Sequence, residues 1–100
     1  MTMDNDLNAL DLVILGKTSM PDLLKHLAQE CCEVAAAILK YVQVLEGTDP
    51  TPVSRREASG NMMDEAADLI NYIRVLDWDD KTKLRQYQKT TRWVKRLEEK

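Results

Sequence analysis

The chain has 100 residues with a formal net charge of −3, 44% hydrophobic and 31% charged residues, and no Phe. That is one small domain with a modest core. It lacks the basic field that non-specific nucleic-acid binding requires and any run of ~18 apolar residues or signal-peptide pattern, so no nucleic-acid or membrane partner is expected and a cytoplasmic location is. Gly and Pro number only three each, and the abundance of Ala, Leu, Met, Glu and Lys predicts an all-α fold.

The first helix is expected over 4–16, where Leu7, Leu10, Ile14 and Leu15 recur at helical spacing and Gly16 marks the end. It is short and needs a partner surface. The second is expected over 20–46. Ser19 caps it, Pro21 lies in its first turn, and Gly47 closes it. Its apolar stripe is Leu23, Leu27, Cys31, Val34, Ile38, Val42 and Leu45.

Thr48-Asp49-Pro50-Thr51-Pro52 reads as a loop, because two prolines among small polar residues break any period. A third helix is expected over 54–78, opened by a capping box of Ser54 and Glu57, with Asn61 as an alternative cap after Gly60. Met62, Ala66, Leu69, Ile73 and Leu76 form its stripe. The last helix, expected over 80–98, has a weak face of Leu84, Tyr87, Thr91, Val94 and Leu97 and a strongly basic composition. Leu24, Ala35, Val42 and Ile70 widen the apolar stripes beyond what one neighbour covers. A homodimer or a tetramer built as a dimer of dimers is therefore expected. Adjacent Cys31 and Cys32 diverge by about 100° on a helix, so they read as reduced thiols.

The chemistry lies in four carboxylates. Glu30 and Glu33 on the second helix, and Glu65 and Asp68 on the third, are each spaced i,i+3, so each pair shares one side of its helix. With Leu27 and Met62 as zero on their wheels, Glu30 and Glu65 both fall about 60° to one side, and Glu33 and Asp68 about 120° to the same side. Side-by-side packing would turn the two pairs toward each other. Such a cluster repels itself unless a multivalent cation sits within it. Without a Cys or imidazole set, the donors suit Mg²⁺ or Mn²⁺ rather than zinc. The competing reading is a solvated acidic face. A di-iron bundle needs Glu-x-x-His motifs, and the single histidine, His26, precedes Glu30 by four residues.

Gln29-Glu30-Cys31-Cys32-Glu33, followed by Asp64-Glu65-Ala66-Ala67-Asp68, resembles the E-E-x-x-E … E-x-x-D signature of the MazG-like all-α nucleoside triphosphate pyrophosphohydrolases, in particular their short stand-alone and phage-type members. The likeness spans roughly Gly16 to Leu97. It departs from the pattern where Gln29 replaces the first acid, and in a spacer of 31 residues between Glu33 and Glu65.

The resemblance implies a four-helix-bundle-like fold completed by oligomerisation, and Mg²⁺-dependent hydrolysis of (deoxy)nucleoside triphosphates to the monophosphate and pyrophosphate. Glu30, Glu33, Glu65 and Asp68 would serve as metal-binding and catalytic groups. Lys40, seven residues after Glu33 on the same side, could meet a phosphate or could simply be solvated. Asn71 resembles family positions that touch the nucleotide. Lys89 and Arg92 could reach phosphates across a subunit boundary. Trp78 and Trp93 could stack on a base or fill an interface. His26 could approach the nucleotide or hydrogen-bond within the fold. Two alternatives stay open: a phosphoribosyl-ATP pyrophosphohydrolase-like enzyme, and a helical oligomerisation or regulatory module that kept the fold without catalysis.

Overall fold

The computed structural model describes residues 2–49 and 53–100, in which every regular element is helical. The order is α1 (Met3–Lys17), α2 (Met20–Glu46), α3 (Arg55–Val75), α4 (Trp78–Lys81) and α5 (Lys83–Glu98). Of the loop predicted over 48–52, Thr48 and Asp49 lie beyond α2, and residues 50–52 lie outside the described residues.

Local chemistry explains most boundaries. Ser19 Oγ accepts from the Asp22 amide at 3.2 Å, and Ser54 Oγ from the Glu57 amide at 3.0 Å, each satisfying a donor that an N-terminus leaves free. Gly47 ends α2 at φ 74°, a left-handed conformation natural to glycine. Asn61 is interior to α3, since the Ser54 cap holds the upstream turns. Gly16 does not end α1, which continues to Lys17.

The largest difference from expectation is at the end of α3. The helix predicted to run to 78 stops at Val75, and Asp77 takes φ 57°, a conformation that short polar side chains tolerate better than most. The Lys81 ammonium donates to the Leu76 carbonyl at 3.2 Å, satisfying an acceptor that the break exposes. Trp78 thus opens a separate one-turn helix, and the final helix begins at Lys83 rather than 80.

α2 and α3 form an antiparallel hairpin, because the N-terminal half of α2 meets the C-terminal half of α3. Leu23 and Leu27 pack with Val75 and Leu76, flanked by Leu69 and Tyr72. α1 packs on α3, but only part of the apolar stripe expected of it is covered: Leu7 is half-buried, while Leu15 stays exposed. Leu10 is 58% exposed, while Asp11 is buried. Arg74 grips Asp11 with two hydrogen bonds, Nε to Oδ2 at 2.8 Å and Nη2 to Oδ1 at 3.0 Å, the fork geometry that makes guanidinium–carboxylate pairs specific. That pairing holds the Arg74 guanidinium above its ordinary pKa. Among the described elements α5 packs only on α4, and Leu84, Tyr87, Val94 and Leu97 all stay exposed. A single chain therefore does not close a four-helix bundle. Its radius of gyration is 17.2 Å, against about 13 Å for a compact chain of this length.

A candidate metal centre beside a cleft

The hairpin brings together three of the four expected carboxylates. One oxygen from each of Glu30, Glu33 and Glu65 lies within 4.8 Å of the other two. Glu30 and Glu33 come from successive turns of α2, and Glu65 projects from the facing side of α3. One carboxylate oxygen of Glu30 and one of Glu65 are buried with no hydrogen-bond partner. Such atoms are costly unless something else satisfies them. An acceptor-only donor set with two unsatisfied oxygens fits a hard divalent cation.

Asp68 is not part of this convergent group. It is exposed, yet its charge acts on both Glu30 and Glu65. Both glutamates hold their protons more tightly than an ordinary carboxyl. For Glu30 the causes are burial first, then a hydrogen bond shared with Glu33, then the charges of Glu33, Asp68 and Glu65. For Glu65 burial again leads, followed by the charges of Glu33 and Asp68, the hydrogen bond to Glu33, and the charge of Asp64.

This has a consequence for stability. Because folding raises both pKa values, the pair favours the folded state most below the ordinary value of 4.5 and loses that contribution as pH rises through the raised values. Relative to a Glu30→Gln variant, the metal-free wild type should therefore become less stable from about pH 4.5 upward. Thermal denaturation at several pH values checks this, and parallel profiles for the two proteins would contradict it. Addition of Mg²⁺ at neutral pH should raise the wild-type midpoint. Ligation to the folded state alone is worth about 2.7 kcal/mol at 100 times Kd.

A cleft of about 480 Å³ opens next to the cluster. Glu30, Asp68, His26, Asn71 and Tyr72 line it from the hairpin, and Ile14 of α1 and Thr18, the residue after α1, line it as well. His26 and Tyr72 are stacked, with ring centroids 6.4 Å apart and planes inclined by 23°. Tyr72 was missed by sequence reasoning, although it follows Asp68 by one turn on the same side of α3. Ile14 and Thr18 had no sequence signal, because their place depends on how α1 docks.

The remaining candidates fall elsewhere. Lys40 Nζ lies 2.6 Å from Oδ1 of Asp49, whose side chain is only 6% exposed, so its ammonium pins the segment after α2. The Asn71 side-chain oxygen accepts from Arg74 at 3.1 Å while Asn71 also lines the cleft. Gln29 Oε1 is 3.3 Å from His26 Nδ1, which directs its amide to the cleft side chain. Lys89 and Arg92 are exposed on α5, a helix with no packing on α2 or α3. Trp78 is 36% exposed on α4 and Trp93 60% exposed on α5, and neither lines the cleft. Cys31 and Cys32 are free and exposed. No helix among the described residues is long and apolar enough to cross a membrane. No protein-family model, curated protein or solved structure matches this chain.

Proposed function

We propose that this protein hydrolyses nucleoside triphosphates at the α–β linkage, releasing the monophosphate and pyrophosphate with Mg²⁺ as cofactor. The observation that carries the reading is the convergence of Glu30, Glu33 and Glu65 within 4.8 Å, with unsatisfied buried oxygens on two of them, at the edge of a nucleotide-sized cleft. The sequence resemblance to MazG-like pyrophosphohydrolases supplies the reaction.

Bound Mg²⁺ would neutralise phosphate oxygens and lower the pKa of a nearby water. Glu30, Glu33 and Glu65 would hold the cation, each through one oxygen. Asp68, which lines the cleft together with Glu30, would orient the attacking water and accept its proton. The stacked His26 and Tyr72 rings offer a flat surface to a base, and Ile14, Leu23 and Val75 exclude water from that end of the cleft. In this arrangement Lys40 serves the loop rather than a phosphate, and positive charge for the triphosphate would have to come from Lys89 or Arg92 of another copy.

Incubation with each (deoxy)nucleoside triphosphate and Mg²⁺ tests the reading by its products. Pyrophosphate and monophosphate are expected, with Mn²⁺ able to replace Mg²⁺. Orthophosphate as the first product would overturn the α–β assignment. Turnover of phosphoribosyl-ATP alone would move the protein to that neighbouring activity. Absence of product from every substrate would favour a non-catalytic module, for which the engagement of Gln29 with His26 speaks.

A further inference from the structure

Two polar groups that line the cleft are ambiguous by nature, and each is held in one sense by a neighbour outside it. A neutral imidazole carries its proton on either ring nitrogen, and a side-chain amide presents either its oxygen or its NH₂. His26 and Asn71 line the cleft, whereas Gln29 and Arg74 do not. The Asn71 oxygen accepts from Arg74 Nη1 at 3.1 Å, and Arg74 is fixed in turn by its fork on Asp11. Asn71 is left with its NH₂ donors to offer.

Gln29 does the equivalent for His26. The two lie i,i+3 on α2, hence on one side of the helix, and Gln29 Oε1 stands 3.3 Å from His26 Nδ1. An amide oxygen only accepts, so this contact is a hydrogen bond when Nδ1 carries the proton. The Tyr72 ring, stacked at 6.4 Å and 23°, constrains the plane of the imidazole as well. Nε2 is the nitrogen that remains, and among the described residues no donor reaches it. Which nitrogen is protonated follows from the bond that the other one makes. An unconstrained histidine favours the proton on Nε2, so Gln29 reverses the usual form. Position 29 is also where the chain departs from the E-E-x-x-E pattern. Either a carboxylate or an amide would accept from Nδ1, and the amide does so without adding a charge.

We propose that Gln29 is a positioning residue that holds His26 in its Nδ1-protonated tautomer, and that Nε2, presented as an acceptor, selects a nucleobase edge carrying an N–H donor, with Asn71 meeting the acceptor beside it. An acceptor at that point disfavours phosphate oxygens, which only accept. The triphosphate therefore lies toward the carboxylates and their cation, and the base toward His26. Selection of a base rests on the nucleotide chemistry proposed above, whereas the tautomer does not.

Imidazole ¹⁵N spectra of the tag-free chain test both parts, and its single histidine makes the signals unambiguous. At about pH 8.5, where an ordinary imidazole is neutral, wild type should show a protonated Nδ1 and a bare Nε2. Gln29→Leu should reverse the two. Gln29→Glu, which restores an acceptor, should restore the wild-type pattern. The same spectra, recorded during titration with deoxyadenosine and deoxycytidine monophosphates and with the analogue of each that lacks the amino group, read the selection. Wild type should bind the amino-bearing member of each pair roughly tenfold more tightly, with Nε2 the nitrogen that shifts, and Gln29→Leu should lose the preference. A wild-type proton on Nε2, or a Gln29→Leu pattern identical to wild type, would overturn the positioning role. Equal binding within each pair would overturn the selection. Failure of all four to bind, with Nδ1 protonated, would overturn the nucleotide chemistry and the selection with it, a result distinct from loss of the tautomer.

Discussion

Glu65→Gln is expected to lower turnover of a nucleoside triphosphate by about 10²–10³-fold while helicity is unchanged. Glu65 is the single contribution of α3 to the group of carboxylates that lie within 4.8 Å of one another. Gln keeps the shape but offers a neutral oxygen, so a bound cation would lose one of its charged donors. Loss of a few kcal/mol of charge stabilisation in the transition state corresponds to that factor. The substitution also removes one of the mutually repelling charges, so the metal-free variant should melt at a higher temperature than wild type at neutral pH. Lower activity together with higher stability separates a metal ligand from a residue that merely supports the fold. Retained activity would remove Glu65 from the site.

Arg74→Ala is expected to release α1. Two hydrogen bonds join Arg74 to Asp11, whose side chain is 11% exposed against 30% for the arginine. Removing the guanidinium leaves a nearly buried carboxylate without its counter-charge, a change that costs about 3–5 kcal/mol in a fully buried pair. Solvent reaching Arg74 reduces this to about 2–4 kcal/mol. Among the described helices α1 packs on α3 alone, and it exposes much of its apolar surface, so the cheaper response is for α1 to detach while the hairpin stays folded. Hydrogen exchange should show protection lost across 3–17 and kept in the Leu23–Leu27–Val75–Leu76 core. Because Ile14 and Thr18 line the cleft, nucleotide affinity should fall with it. Unchanged protection in α1 would show that other contacts hold it.

The two effects differ in kind. The Glu30–Glu33–Glu65 group is set by helix geometry and by the antiparallel hairpin, neither of which involves α1, so it should persist when α1 detaches. The cleft beside it is lined in part by α1, which the Asp11–Arg74 pair ties to α3. Enclosure of the cleft can therefore vary without disturbing the carboxylate group.

The starts of α2 and α3 and the α2 stop were legible in the sequence because they depend on residues within one turn. Ser19, Ser54 and Gly47 act on amides and carbonyls a few positions away, and no distant contact is needed to define them. The matching wheel angles of Glu30 and Glu65 were equally local, and they anticipated that the two would meet. The wheel did not distinguish Asp68, one turn further along α3, which stands outside the convergent group. The depth at which two helices cross decides that, and periodicity carries no information about it. The early end of α3 also escaped, since its apolar stripe continues through Leu76 and nothing in the stripe marks Asp77 as left-handed.

What the sequence by itself determined is the helical class, the main caps and the pairing of acids across two helices, all consequences of a 3.6-residue period and of short-range hydrogen bonding. Only the tertiary structure decided that Asp11 is the buried residue of α1 and pairs with Arg74, that Lys40 belongs to Asp49, that Tyr72 meets His26, and that α5 stands clear of the hairpin. Each of those joins residues on different elements or across a chain break in the helical pattern. Their partners are selected by burial and charge in three dimensions, and a one-dimensional period cannot encode them.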